Sequence, residues 1–360
     1  MPKRTLRTLA AATLLAAAAL TAGTGKATAS TGVKVVIDHV DNPRGLALRP
    51  GGQLYVAAAG KAGSFCPAPD SCGGLTSYVL RRSNGETRRI AGGLPSLGGQ
   101  DGSFTVGVDD VSVSPKGKVF FIETSAGESL PPGAPPRFGL LGHLLSKQPG
   151  QNIVKVADID DFEFAHDPDH QGKDSDPYSV FAVSNHRQLV ADAAGNSLLL
   201  VRDGKVRVVA VFPNNRFGSQ SVPTSITRGP DGAFYVGELG GDGTPAGGSR
   251  VWRVVPGQRP TVFRGGFSAI TDVAFGRDGS LYVLELTTDP STFGPTGAIV
   301  RVKPNGTRSV IGRDVLHYPG GMEIGAGGSI FVSNWSVLPA FPQAGSPFGN
   351  ARGQVIRLTP

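Results

Sequence analysis

Between residues 268 and 316 the apolar positions fall into four short runs, ITDVAF, SLYVLE, AIVRV and TRSVI. Arg-Asp-Gly separates the first two and Pro-Asn-Gly the last two, and such dipeptides supply the positive-φ positions of tight hairpin turns. The stretch is therefore expected to fold as a four-stranded antiparallel meander. A lone meander cannot bury both of its faces, so copies of it should exist elsewhere.

They do. The second-strand pattern GRDGSLYVLEL recurs as RPGGQLYVAAA (49–59), SPKGKVFFIET (114–124), GPDGAFYVGEL (229–239) and GAGGSIFVSNW (325–335). VSNHRQLVADA (183–193) is a degenerate copy whose turn glycine is replaced by His186. Taking Gly52, Gly117, His186, Gly232, Gly279 and Gly328 as rulers, the copies recur every 46 to 69 residues, the spacing of propeller blades with loop insertions. GQVIRLTP (353–360) supplies only a third strand for the last unit, and TGVKVVIDHV (31–40) can supply its fourth. The fold class expected is all-β: a six-bladed β-propeller of four-stranded antiparallel blades, closed by the N-terminal strand.

Residues 1–29 read as a secretory signal. Lys3, Arg4 and Arg7 precede an Ala/Leu-rich apolar run and an Ala-Thr-Ala cleavage site, and the run is shorter than the roughly 20 residues a membrane span needs. No cysteine follows it to take a lipid. The mature chain, 30–360, is expected to be a single propeller domain, secreted, extracellular and monomeric, with no membrane span. Removal of the signal lowers the formal charge from +7 to about +3. The remaining Lys and Arg form no basic stripe, which argues against nucleic acid as a partner. The only two cysteines, Cys66 and Cys72, share one loop of an exported chain and are expected to form a disulfide. In the chain-entropy model so short a loop gains roughly 2 kcal/mol.

The turns within strand pairs stay short, whereas long insertions fall at 59–76, 95–108, 124–142, 158–177, 213–222, 240–249, 287–296 and 335–352. In a propeller these insertions all share one face, and loops on a rigid scaffold carry recognition. Three constellations lie there. One is a carboxylate column six residues after each ruler position, Ala58, Glu123, Asp192, Glu238, Glu285 and Asn334, with a companion column seven residues before it that includes Asp110 and Asp272. Asp110, Asp272, Glu123 and Glu285 are the candidate ligands for an axial Ca²⁺, a cation that takes six to eight oxygens. The same repetition is also what loop bracing through backbone N–H groups would produce. The second is DIDDFEFAHDPDHQGKDSDP (158–177), in which His166, His170 and the carboxylates are either a divalent-metal site or a solvated acidic linker. The third is aromatic: Phe138, Phe217, Phe293 and Phe348, each followed by glycine, with Trp335 and Phe341, form either a ligand platform or plugs between blades.

No G-x-S-x-G elbow, Walker loop or dinucleotide fingerprint occurs, so no reaction is named. NPRGLALRPGGQLYVAAAG, DPYSVFAVSNHRQLVADAAGNSLLLVRDGKVRVVAVFP, SVPTSITRGPDGAFYVGELGG and the DFEFAHDPD linker resemble the ScyD/ScyE family of exported, NHL-like propellers. That family takes its name from the biosynthesis of the pigment scytonemin and carries no established activity. Ser179 and Ala58 depart from its usual glycine and acid. The reading is a non-catalytic module that binds a small molecule, glycan or protein through the insertion face. The alternative is a calcium-dependent, lactonase-like hydrolase. No cofactor beyond Ca²⁺ is expected.

Overall fold

Strand pairing follows the repeat. The computed structural model describes residues 32–359 apart from 69–70, 126, 128–129, 131 and 343–345, so the expected signal at 1–29 lies outside the described residues. From inside outwards, blade 1 is Pro43–Leu48, Leu54–Ala58, Ser71–Ser83 and Glu86–Gly98. Blade 2 is Val108–Val113, Val119–Glu123, His143–Lys147 and Val154–Asp158. Blade 3 is Pro177–Ser184, Arg187–Asp192, Ser197–Arg202 and Lys205–Val211. Blade 4 is Pro223–Arg228, Phe234–Glu238, Ser249–Val254 and Thr261–Phe267. Blade 5 is Ile270–Phe275, Leu281–Glu285, Ala298–Val302 and Arg308–Ile311. Blade 6 is Met322–Ile324, Ile330–Asn334, Gln354–Thr359 and the N-terminal strand Gly32–Ile37. The six blades form a ring, a six-bladed β-propeller.

The ring closes as expected. Gly32 pairs with Thr359 and Ile37 with Val355 in an antiparallel ladder, which removes the open edge of blade 6. The N-terminal strand is pinned by Ile37, buried with Val40, Leu46 and Val355, while Val33 and Val35 are half exposed.

Successive side chains of a strand point to opposite faces, and here both faces are covered. In VFFIE of blade 2, Phe121 packs with Val79, Ala91 and Leu94 of blade 1. Phe120 and Ile122 pack with Val180, Val190 and Leu199 of blade 3. Burial on both sides is why the second strands read as continuous apolar runs rather than alternating ones.

Three insertions carry more structure than loops. Blade 1 gains a fifth strand, Phe65–Ala68, on Ser71–Ser83, and the Cys66–Cys72 disulfide spans that hairpin. Ser71–Ser83 and Glu86–Gly98 run on as a long ribbon, turned by Asn84 and Gly85, both at positive φ. The acidic linker forms a helix, Ile159–His166, capped by the Asp158 side chain, which accepts from the Asp161 N–H.

Because the outer side of Gln354–Thr359 is paired by Gly32–Ile37, deleting residues 32–37 is expected to lower thermal stability sharply. The loss should exceed the roughly 2–5 kcal/mol that truncating a buried Ile37 alone would cost. An unchanged melting temperature in the truncated chain would contradict the closure.

Candidate functional site

The innermost strands enclose an axial cavity of about 120 Å³, lined by residues of all six blades. In five of them the pairing register shifts at the same place, near the insertion face: between Pro43 and Leu46, Val108 and Asp110, Pro177 and Ser179, Pro223 and Ser225, and Ile270 and Asp272. Such bulges re-aim side chains. The residues skipped by the register are Arg44 with Gly45, Asp109, Tyr178, Thr224 and Thr271, and all but Arg44 line the cavity.

Two of these residues tie one blade to the next. Thr224 Oγ1 donates to the Ile270 carbonyl at 2.6 Å and Thr271 Oγ1 to the Pro319 carbonyl at 3.0 Å. Asp110 and Asp272, in the cavity wall, act in the same way. Asp110 Oδ2 accepts from Ser179 Oγ (2.8 Å) and the Val180 N–H (2.9 Å), and Asp272 Oδ2 accepts from the Met322 N–H (2.7 Å). Arg44 differs: one nitrogen donates to the Thr105 carbonyl at 2.6 Å, and its Nε stands 3.6 Å from Asp109. Neither Asp109 oxygen has a hydrogen-bond partner, although the residue is buried.

Most of the repeated acid column braces loops. Asp192 accepts from the Asp176 N–H, Glu285 from the Ser268 N–H and Asn334 from the His317 N–H, at 2.8, 2.9 and 2.7 Å. Glu238 receives Ser221 Oγ, Trp252 Nε1 and Arg250. Glu123 breaks the series: it is fully buried and both of its oxygens lack a partner. Burial, then the neighbouring Asp109, push its carboxyl well above the usual range. Asp109 is raised in the same direction, first by burial, with Arg44 opposing. Among the described residues, no three of Asp110, Asp272, Glu123 and Glu285 bring an oxygen each within 4.8 Å of one another, so the expected axial set is not assembled as one coordination sphere.

The aromatic residues divide. Phe138 is 2% exposed and packs edge-on against Phe65 under the blade 1 hairpin, which is a plug and not a contact surface. Phe217 is exposed on the loop between blades 3 and 4, with the Arg216 guanidinium 4.8 Å from its ring centre. Phe293, Trp335 and Phe348 come together with two rings the sequence did not single out, Phe104 and Tyr318. Ring centres lie 5.6 Å apart for Phe293–Tyr318, 6.3 Å for Phe104–Phe293, 5.6 Å for Trp335–Phe348 and 5.8 Å for Tyr318–Phe348. His317 stacks on Trp335 at 4.4 Å. Phe104 and Phe293 are each 46% exposed.

Phe104, Phe293 and Trp335 have φ of 52°, 50° and 54°, left-handed values that cost a bulky residue on the order of 1–3 kcal/mol each. Tyr318, at 41°, shares its place in the repeat with Asn42, Val222 and Ala269, so its φ belongs to the blade architecture. The other three lie in insertions, where the repeat does not demand it. The patch is tied to the first blade's bulge: the Phe104 N–H donates to the Val337 carbonyl, and the next residue, Thr105, is the one held by Arg44, which precedes the cavity-lining Gly45.

No family model matches the chain, and no curated protein matches it in sequence. Solved structures match in shape. They include virginiamycin B lyase from Staphylococcus aureus, with TM-score 0.51 and 17% identity over 85% of this chain and 83% of that one. A calcium-binding regucalcin from Agrobacterium tumefaciens matches with TM-score 0.52 and 12% identity over 91% and 93%. A gluconolactonase from Xanthomonas campestris matches with TM-score 0.51 and 9% identity over 91% and 89%. At these identities the likeness shows the shared propeller fold alone.

Arg44, Asp109 and Tyr178 escaped the sequence reading because a bulge is invisible to a period-2 pattern. The Asp109-Asp110 doublet beside the repeat column is the one signal that could have exposed it.

Burial raises Asp110 and Asp192 to about 7 and Glu323 to about 8. The folded chain therefore keeps protons that the unfolded chain releases above pH 4, so stability falls as pH rises from about 4 through 7–8. Each group contributes at most about 1.4 kcal/mol per pH unit. In EDTA, the melting temperature at pH 8 is expected below that at pH 5; a flat profile would count against these protonation states.

Proposed function

We propose that this chain is an exported, ScyD/ScyE-like propeller that binds a small ring-bearing ligand, a glycan included, at the channel mouth without turning it over. The observation that carries this reading is the convergence of three aromatic side chains from three separate insertions, each with left-handed φ. Strain of that kind is retained where the surrounding structure over-determines a functional surface. The exposed rings of Phe104 and Phe293 offer stacking area, with Tyr318 packed against both and Trp335 and Phe348 packed against Tyr318. Phe217 lies outside this set of ring contacts and is assigned a lesser part.

Phe104→Ala, Phe293→Ala and Trp335→Ala are each expected to weaken binding at least about 5-fold, since truncating an aromatic anchor costs on the order of 1 kcal/mol or more. Folding should be retained. The measurement is titration calorimetry on hits from a panel of glycans and planar aromatic compounds. If no hit in either class is sensitive to Phe293→Ala, the reading fails.

A second reading, a lactonase-like hydrolase, is favoured by one observation: among the described residues the buried oxygens of Asp109 and Glu123 have no hydrogen-bond partner, and only Asp109 has a cation, Arg44, at 3.6 Å. Unsatisfied buried carboxylates are suited to a hard cation such as Ca²⁺, held by Asp109 and Glu123, with Asp110 and Asp272 in the adjoining cavity wall. When bound, such a cation supplies Lewis-acid polarisation of a carbonyl. Lactone hydrolysis that needs Ca²⁺ and disappears in Asp109→Asn would favour the enzyme. Protein that carries no divalent ion and turns over no lactone in a panel would remove it.

A further inference from the structure

We propose that Glu163, Asp167 and Asp169, in the linker between blades 2 and 3, bind a hard divalent cation of the Ca²⁺ type. One oxygen from each of the three lies within 4.8 Å of the others. Proximity alone would not make a site of them. Glu163 is 0% exposed, and neither of its oxygens has a hydrogen-bond partner; the buried Oδ1 of Asp167 lacks one too. An ionised carboxylate shut away from water without donors is costly unless a cation or a proton compensates it.

The local structure builds the cradle. The helix Ile159–His166 buries Ile159 and Asp160 together with Glu163, four residues on, which turns Glu163 inward. Asp167 ends the helix in the left-handed conformation, φ 44°, and its N–H returns to the Glu163 carbonyl at 2.9 Å. Asp169 is oriented by Asn196 Nδ2 at 2.8 Å, and Asn196 Oδ1 in turn accepts the Val222 N–H at the entrance to blade 4. Space for Glu163 depends on Gly195: a Cβ there would lie 2.7 Å from Glu163 Oε2. The charged groups set against Glu163 are acidic, Asp192, Asp169, Asp167 and Asp174.

The donor set selects the ion. His166 points its Nδ1 at the Phe162 carbonyl, 2.8 Å away, and stacks its ring on Phe162. Neither His166 nor His170 joins the group. Three carboxylates without imidazole or thiolate suit Ca²⁺, with carbonyls or water completing the shell, and not Zn²⁺. Asp192 is already committed to the Asp176 and Gly195 N–H groups and to Ser175. The ion would join the helix to the 167–169 turn and, through Asn196, to blade 3.

The test is Ca²⁺ calorimetry and thermal melting on the EDTA-stripped chain, as wild type, Glu163→Gln, Asp169→Asn and Asp110→Asn. The wild type is expected to bind Ca²⁺ and to gain about 4 °C at roughly 100 times Kd. Glu163→Gln and Asp169→Asn should each weaken binding at least about 10-fold and abolish that gain, while Asp110→Asn retains both. A further ion unaffected by the linker variants belongs to the axial reading, and loss of the linker ion beside it still supports the proposal. Should Glu163→Gln fail to fold, Asp169→Asn, on the more accessible residue, carries the comparison. No binding by the wild type, binding that survives both linker variants, or binding lost only in Asp110→Asn would overturn it; the last result would place the ion on the axis.

Discussion

Each blade of this protein is apolar on both faces, and no blade can be stable alone. Phe121 needs blade 1 and Phe120 needs blade 3, and the same holds around the circle. Burial of a Phe side chain contributes roughly 1.5–3 kcal/mol only when the opposite surface is present. A ring is the arrangement in which every blade has two neighbours, provided that the last blade is completed. Completion falls to the pairing of 32–37 with 354–359, which joins two segments far apart in sequence into one sheet.

Such a scaffold separates two tasks. The short turns on one face need only positive-φ positions, as at Asp203 and Gly204, where φ is 49° and 81°. The opposite face carries the long insertions, and some of them also fill the core, as Phe138 and Ile159 do. The bulges lie at the boundary between the two. Thr224 and Thr271 use the bulge to fasten the next blade, whereas Arg44 and Asp109 face each other across blades 1 and 2. One backbone irregularity thus serves as a brace in one half of the ring and builds a polar cluster in the other.

The architecture was legible because it rests on repetition: glycine turns, apolar second strands and the missing fourth strand of blade 6 are all periodic or countable. The loop-bracing role of Asp192, Glu285 and Asn334 was legible for the same reason. What escaped notice breaks the period. Phe104 has no glycine after it and no counterpart in another blade, and only tertiary contact with Phe293 and Tyr318 gives it meaning. Glu123 looks like its column mates in sequence, yet it alone among the column's acids lacks a partner among the described residues. The linker looked solvated because ten of its residues are acidic or imidazole, but Ile159 anchors it in the blade 2–3 core and draws Glu163 inward.

The distribution of unbalanced groups is itself informative. Among the described residues, every buried carboxylate oxygen without a partner belongs to Asp109, Glu123, Asp160, Glu163 or Asp167, all on blade 2 or the linker that follows it. The strained insertion aromatics sit instead on blades 5 and 6 and on the loop between blades 1 and 2. That loop is the physical bridge: Phe104 completes the aromatic patch, and Thr105 is held by the same Arg44 that faces Asp109. The aromatic patch and the buried polar pair of blades 1 and 2 thus meet at two adjacent residues, Phe104 and Thr105, a link confined to one insertion and absent from the repeat itself.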